Sequence, residues 1–221
     1  MIITIDGPTG TGKSTIAKLL AERIGFAYFD TGAMYRCLTY GIIKHRIDYN
    51  DPKAVEKFIS SFDFEVRVIK KAKLYFYEDE DITDKIRKEA VTTLVSQISA
   101  MSLVREKLVK HQRKLGEGAN AVFEGRDMGT VVFPNAALKI YLTADPKIRA
   151  QRRFDELREK SPEETVHMSV RHVLDNLNTR DSYDSSREHS PLYQAKDAHI
   201  IDTTHLSVEE VLNKILDIFP K

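Results

Sequence analysis

Short runs of apolar residues alternate along this chain with longer stretches in which apolar residues recur at helical spacing. The short runs predict five buried strands, which lie near residues 2–5, 26–30, 121–123, 138–142 and 199–202. Helical patterns separate the strands, and the last helix opens with a capping box at Ser207 and Glu210. Strands that alternate with helices are typical of a parallel sheet covered by helices. The pattern therefore predicts an α/β fold with a central parallel five-stranded sheet.

The segment from residue 63 to 78 follows a different pattern. Its apolar residues alternate with polar ones over two runs joined by a short connection, which predicts an antiparallel hairpin. We interpret this hairpin as a small insert on the α/β core. The acidic residues 78–81 that follow it are expected to form a solvated turn. Two long helical patterns, at residues 86–115 and from 162 toward 180, are each expected to form one helix.

The loop directly after the first strand carries the candidate chemistry. Residues 7–14 read Gly-Pro-Thr-Gly-Thr-Gly-Lys-Ser and match the phosphate-loop pattern G-x-x-x-x-G-K-[ST] at every fixed position. Glycines let the loop amides turn toward one point, where the following helix adds partial positive charge. In such loops the lysine, here Lys13, reaches the β- and γ-phosphates, and the hydroxyl, here Ser14, holds Mg²⁺. The chain is therefore expected to bind a nucleoside triphosphate through Gly7, Pro8, Thr9, Gly10, Thr11, Gly12, Lys13, Ser14 and Thr15.

Arginines near the ends of predicted elements indicate a second phosphate-bearing ligand. Arg36, Arg126 and Arg187 each lie within a few residues of Gly or Asp at such a boundary, a placement that suits bidentate binding of phosphate. Three more arginines, at 149, 152 and 153, permit two interpretations. They either bind phosphate or form a salt-bridged helix face with Asp155 and Glu156.

Composition restricts the class of protein further. With 42% apolar and 30% charged residues, the chain has the composition of a soluble globular protein. A net charge of +1 gives no global attraction to nucleic acid or anionic membranes. The single cysteine, Cys37, excludes a disulfide framework and favours a reducing compartment. Neither a membrane-spanning run nor a signal peptide is found, so we expect a monomer in the cytoplasm without nucleic-acid or membrane partners.

Several motifs resemble those of bacterial cytidylate kinase, a family of P-loop nucleoside monophosphate kinases. The most specific is Gly-Arg-Asp-Met-Gly-Thr-Val-Val-Phe-Pro at 125–134, and the others lie at 6–15, 29–36, 104–106, 149–153 and 180–184. The motifs follow in the same order from Ile2 to the terminal helix. The resemblance implies that the γ-phosphoryl group of ATP, bound with Mg²⁺, is transferred to CMP, with dCMP as a second acceptor. It also implies a three-layer P-loop NTPase sandwich in a single kinase domain over residues 1–221.

The resemblance divides that domain into three parts and assigns roles to residues. The core covers about 1–35, 96–147 and 166–221. A small β-containing insert, which binds the nucleoside monophosphate, covers about 36–95. A helical lid covers about 148–165. The implied acceptor-binding residues are Thr31, Tyr35, Arg36, Ser96, Arg105, Arg126, Asp127, Arg180, Asp184 and Arg187. The implied catalytic residues at the transferring phosphoryl group are Lys13, Arg126, Arg152 and Arg153.

The assignment to cytosine also has a chemical basis. Ser96, Arg105 and Asp127 are implied to contact the base. Cytosine presents an amino donor beside two acceptors, and a carboxylate accepts from that amino group. Uracil would point a carbonyl oxygen at the same carboxylate, and the repulsion would disfavour it.

Departures from the family pattern keep two alternatives open. Thr31, Glu124 and Tyr183 stand where the family usually has Ser, Asp and Arg. The chain could be a P-loop kinase for another small acceptor such as UMP, or a regulatory protein that binds and hydrolyses ATP. A GTPase is not favoured, because the Asn-Lys pair at 213–214 is followed by Ile-Leu instead of completing Asn-Lys-x-Asp.

Overall fold

A computed structural model of the protein describes residues 1–69, 72–160 and 162–220. The strands are β1 (Ile2–Asp6), β2 (Ala27–Asp30), β3 (Glu65–Ile69), β4 (Ala72–Tyr77), β5 (Glu80–Asp81), β6 (Ala121–Glu124), β7 (Leu138–Thr143) and β8 (His199–Asp202). The α-helices are α1 (Lys13–Ile24), α2 (Thr31–Lys44), α3 (Pro52–Ser61), α4 (Glu89–Ala100), α5 (Ser102–Gly116), α6 (Pro146–Lys160), α7 (Pro162–Thr165), α8 (Val170–Ser186) and α9 (Val208–Asp217). Lys85–Arg87 forms a 3₁₀ turn and Met128–Val132 a π-helical turn.

The described chain forms two compact units. The first comprises Met1–Asp30 and Leu115–Lys221, and the second comprises Thr31–Lys114. Within the described residues, no helix is both long and apolar enough to cross a bilayer.

The first unit contains a parallel sheet in the order β2-β6-β1-β7-β8. This confirms the predicted α/β fold with a central five-stranded parallel sheet. Ile3 and Ile5 of the central strand are fully buried against Leu20 of α1 and Leu212 of α9. The buried strand is followed by Gly7, which has a φ of 142° and lies so close to the carbonyl oxygen of Leu142 that a Cβ would not fit. The phosphate loop therefore leaves the sheet at the carboxyl end of its middle strand.

The second unit contains the predicted hairpin, but the expectation for its acidic end was wrong in part. β3, β4 and β5 form an antiparallel sheet, so the segment 80–81 is a strand instead of a solvated turn. Glu78 and Asp79 form the turn and have positive φ angles of 49° and 63°. The Glu80 carboxylate accepts from Lys44 at 2.9 Å, which holds β5 against α2 and explains why an acidic residue is ordered there.

Both long helical patterns are interrupted, so the two single-helix predictions are wrong. In the first, Met101 is extended (φ −68°, ψ 129°) between α4 and α5. The buried Arg105 side chain donates to the Ser99 carbonyl at 3.0 Å and satisfies an orphan group at the end of α4. In the second, α8 begins separately at its N-cap Ser169, whose hydroxyl accepts from the His172 amide at 3.2 Å. Ser161, placed at the predicted helix restart, lies outside the described residues.

Candidate active site

The phosphate loop connects β1 to α1, as predicted. Gly12 caps α1 with a φ of 89°, a left-handed conformation that turns the loop into the helix. Lys13 is buried and folds back over the loop, so that its Nζ donates to the Pro8 carbonyl at 2.6 Å. The Thr11 hydroxyl donates to the same carbonyl at 3.0 Å. The loop is thus closed by its own side chains around the start of a helix, which is the geometry of an anion site.

The Lys13 ammonium lies in an environment that disfavours its charge. Burial and the charge of Arg126 lower the pKa of Lys13 to about 7, while the charge of Glu124 opposes this shift. A bound polyanion would compensate for both effects. Lys13 is therefore suited to contact negative charge.

Oxygen donors suitable for a hard cation lie next to the loop. The Ser14 hydroxyl bonds to the buried Glu124 carboxylate, which also accepts from the Tyr28 hydroxyl at 2.6 Å. Burial raises the pKa of Glu124, and the nearby charge of Asp30 raises it further. Among the described residues, no three His, Cys, Asp or Glu side chains form a metal cluster. A cation that fits the hydroxyl and carboxylates here would take its remaining ligands from phosphate and water.

Arg126 lies at the centre of a polar network in the first unit. Its Nε donates to Asp184 at 3.1 Å, and one terminal nitrogen donates to the Thr9 hydroxyl at 2.7 Å. The other terminal nitrogen donates to the Gly125 carbonyl at 3.2 Å. Arg187 reaches the same Asp184 carboxylate at 3.5 Å. Three of the five N–H donors of Arg126 are used within the described residues, which leaves two for a ligand.

Arg180 adds a further cation to this region. Burial and the charge of Arg126 together lower its pKa to about 10. The charges of Arg126 and Arg180 in turn lower the pKa of Lys13. Cations that lie this close together in a partly buried site favour the binding of a phosphate group.

Asp127 is 2% exposed at the start of the π-helical turn. The turn is held by Asp6, whose two carboxylate oxygens accept from the amides of Met128 (2.9 Å) and Gly129 (2.7 Å). Burial raises the pKa of Asp6 to about 7, even though the two amides act in the opposite direction. The π-helical turn has no signal in the sequence pattern. Asp6 ends a buried strand and opens the motif at 6–15, but neither position indicates its bonds to the turn.

The three arginines of α6 have different partners. Arg149 forms a buried ion pair with Asp181 and donates to the Thr9 carbonyl at 3.0 Å. Arg153 pairs with Glu156 at 2.7 Å, as the salt-bridged interpretation of this helix expected.

Arg152 donates to the carbonyls of Thr203 (2.6 Å) and Thr204 (3.4 Å). It also lines a cavity of about 430 Å³ beside the phosphate loop. Its lining combines the apolar side chains of Ile16, Leu206, Val208 and Val211 with the charged side chains of Arg152, Arg153 and Glu156. A cavity with apolar side chains and guanidinium groups in its lining can hold an aromatic base.

The second unit contains the other predicted acceptor residues. Arg36 is 8% exposed and donates to the Ile86 carbonyl (3.1 Å) and the Thr92 hydroxyl (2.8 Å). The Arg105 guanidinium lies 5.3 Å from the centre of the Tyr35 ring, a cation–π contact. Thr31 is buried at the start of α2, and Ser96 is partly buried on α4. The unit thus brings Tyr35 and Arg105 together.

Comparisons with known proteins decide the family. A family model described as Cytidylate kinase matches residues 3–221. A cytidylate kinase from Protochlamydia amoebophila (strain UWE25) is 57% identical over 98% of this chain and 95% of that protein. A cytidylate kinase from Caldicellulosiruptor bescii is 44% identical over 99% of this chain and 95% of that protein. The chain belongs to the cytidylate kinase family.

Solved structures agree on the fold alone. A shikimate kinase from Bacteroides thetaiotaomicron has a TM-score of 0.50 at 11% identity, with 99% of this chain and 97% of that one covered. An uncharacterized protein from Eubacterium ventriosum has a TM-score of 0.52 at 12% identity, with the same coverage. As a member of the cytidylate kinase family, the protein is an ATP-dependent nucleoside monophosphate kinase. The kinase interpretation is thereby confirmed, and a purely regulatory ATP-hydrolysing protein is not favoured.

Family membership fixes the ligands at a coarse level. Cytidylate kinases act on nucleotides with ATP and a divalent metal. The roles of single residues, the insert at about 36–95 and the lid at about 148–165 stay predictions. No site role was predicted for Asp6, Asp30 or Asp181. Asp6 and Asp30 end predicted strands, and Asp181 lies within the motif at 180–184, so each carried a positional signal but none that identified its partner.

Proposed function

We propose that the protein transfers the γ-phosphoryl group of ATP to CMP, and also to dCMP, forming ADP and CDP or dCDP. The observation that carries this proposal is the group of cations around the phosphate loop, in which the charge of Arg126 lowers the pKa of both Lys13 and Arg180. The bond from the γ-phosphorus to the β,γ-bridging oxygen breaks, and a bond to a CMP phosphate oxygen forms. That oxygen is already ionised near pH 7, so no general base is needed.

The donor nucleotide is bound by residues 7–15. Lys13 contacts the β- and γ-phosphates, and its buried position makes the contact strong. Mg²⁺, when bound, neutralises charge on the phosphates. Ser14 would hold it, and the nearby carboxylates of Glu124 and Asp30 would serve as further oxygen ligands. The adenine base occupies the cavity beside Arg152 and packs on its apolar side chains.

The acceptor nucleotide is bound by arginines and by a base-reading set. Arg36, Arg126 and Arg187 hold the CMP phosphate, and the two donors that remain on Arg126 support this assignment. Tyr35 and Thr31 lie beside the nucleotide, and the ribose is contacted by Arg180 and Asp184.

Cytosine is recognised by Ser96, Arg105 and Asp127. The Asp127 carboxylate accepts from the cytosine amino group, and the two donor side chains serve the ring acceptors. Uracil is disfavoured because its carbonyl oxygen would face the carboxylate. Lys13, Arg126, Arg152 and Arg153 stabilise the charge of the transferring group, the last two from a lid at about 148–165.

We also propose that the enzyme works as a monomer in the cytoplasm, with small-molecule partners only. The net charge of +1 and the single buried cysteine Cys37 support this proposal.

A coupled assay of ADP release tests the proposed function. CMP and dCMP should both give rapid ADP formation with stoichiometric CDP or dCDP, and UMP and AMP should react more slowly. Faster turnover with UMP would favour the alternative kinase. ADP release that is independent of any monophosphate, without CDP, would contradict phosphoryl transfer to CMP.

A further inference from the structure

Thr9 of the phosphate loop is held at each of its polar groups. Its amide donates to Asp181 Oδ1 on α8 at 3.3 Å. Its carbonyl accepts from Arg149 on α6 at 3.0 Å. Its hydroxyl accepts from Arg126 at 2.7 Å. One loop residue is therefore bonded to two helices and to an arginine that follows β6.

These contacts close into a ring. Asp181 forms an ion pair with Arg149, and Asp184 bonds Arg126 at 3.1 Å. The two aspartates are three residues apart on α8, so they lie on the same side of the helix. Both arginines then meet at Thr9. Every ion-paired side chain in the ring is at most 19% exposed, so its bonds are only weakly screened by water.

The ring joins the two proposed phosphate sites. Thr9 lies in the loop that binds ATP, and Arg126 is the arginine proposed to bind the CMP phosphate. A triphosphate bound in the loop would add its own contacts to the loop amides, and so restrict the Thr9 backbone and hydroxyl further. The hydroxyl in turn fixes the plane of the Arg126 guanidinium, whose two remaining donors then need less ordering when a phosphate arrives.

We propose that Thr9 couples the two sites, with Asp181 as a positioning residue, so that ATP increases the affinity for CMP. The inference rests on the proposed function, because it takes Arg126 as a CMP ligand. Thermodynamic linkage requires CMP to increase the affinity for ATP by the same factor.

The test measures this coupling factor directly. The dissociation constant of CMP is measured by calorimetry with and without a saturating non-hydrolysable ATP analogue and Mg²⁺. The wild-type factor should be at least about 5-fold. Thr9→Val removes the hydroxyl and keeps the side-chain shape, so the factor should fall below about 2-fold. Thr9→Ser keeps the hydroxyl and should keep the wild-type factor.

Asp181→Asn provides a second variant in case Thr9→Val does not fold. The asparagine keeps an acceptor for the Thr9 amide but loses the charge that pairs with Arg149, so its coupling factor should also fall. A purely structural role would lower the melting temperature and leave the coupling factor unchanged.

Three results would overturn the inference. A factor of one in the wild type, or an unchanged factor in the folded variants while CDP still forms, would remove the coupling and leave the proposed function intact. Absence of CMP binding and of CDP formation in the wild type would overturn the proposed function as well.

Discussion

Lys13 is a buried cation whose charge is disfavoured in the free protein. Its pKa is lowered to about 7 by burial, with a further contribution from Arg126. The free protein therefore keeps this ammonium at a cost that a bound triphosphate removes. Because the developing charge in phosphoryl transfer lies on the oxygens that Lys13 is proposed to contact, its effect should be larger on turnover than on folding.

Lys13→Ala should therefore lower kcat by about 10²–10³-fold, as the loss of one charge-assisted donor from a closed site does. Circular dichroism should be unchanged. Lys18→Ala is the matched control, because Lys18 is an exposed lysine of the same helix. Near-normal turnover of Lys13→Ala would remove this lysine from the mechanism.

Base choice is a second property of single residues. If Asp127 accepts the cytosine amino group, Asp127→Asn introduces an amide that can also donate. CMP then loses a charge-assisted bond, and UMP exchanges repulsion for a donor to its carbonyl. The CMP/UMP ratio of kcat/KM should fall at least ~10-fold, or about 1.4 kcal/mol.

Arg105→Met is the comparison for this variant. It should weaken CMP binding without making UMP a better substrate, because both bases carry the same ring carbonyl. If Asp127→Asn slows both acceptors by one factor, Asp127 supports its neighbours and does not read the base.

At the residue scale, a sequence pattern predicts those sites whose residues are close together in the chain. The phosphate loop was identified because its fixed positions lie within eight residues, 7–14. The bond between Thr9 and Asp181 spans 172 positions, and no local pattern indicates it. Partners brought together by a fold cannot be found from spacing alone.

At the scale of elements, the π-helical turn is a feature that apolar periodicity does not predict. It follows Asp127 directly and is held by the buried Asp6 carboxylate. The break between α4 and α5 is similar, since Met101 is neither glycine nor proline and Arg105 satisfies the carbonyl from a distance. The strands of the parallel sheet, in contrast, were predicted because burial on both faces leaves continuous apolar runs.

The turn gives the stability of the protein a pH dependence with a definite sign. Burial raises the pKa of Asp6 from 3.8 to about 7. An acid with a raised pKa in the folded state contributes stability that is present below its unfolded pKa and lost as the pH rises through its folded pKa. The contribution of Asp6 to the free energy of unfolding should therefore fall between about pH 4 and 7.

Asp6→Asn should remove this fall. At pH 4 it should also lower the free energy of unfolding by about 1–3 kcal/mol, because an amide oxygen replaces two acceptors and leaves a backbone amide unsatisfied. Urea unfolding from pH 4 to 8 measures both effects. Asp175→Asn, at an exposed site on α8, should keep the wild-type slope. Equal slopes for Asp6→Asn and wild type would contradict the argument.

At the scale of the whole molecule, the family assignment covers nearly the entire chain, since residues 3–221 match one family model. The order of the motifs therefore predicted the architecture better than the helical periodicity did. The order of the motifs does not indicate which groups the arginines of α6 contact. Arg152 donates to two backbone carbonyls and Arg153 pairs with Glu156, so in this state both use protein partners.

Those partners are ones that a phosphoryl group can replace. Neutral carbonyls bind a guanidinium less strongly than phosphate does. The Arg153–Glu156 pair is partly exposed, with side-chain exposures of 27% and 42%, so it contributes little to stability.

We therefore expect residues 148–165 to exchange backbone hydrogens readily in the free enzyme and slowly once both nucleotides are bound. Hydrogen exchange with CMP and a non-hydrolysable ATP analogue, each alone and together, measures this. A lid that closes on the complete complex requires a larger effect with both ligands than with either one, because closure then excludes water from the reacting groups. Equal exchange in the free and doubly bound enzyme would mean that this segment is not a lid, and Arg152 and Arg153 would then lose their proposed route to the transferring group.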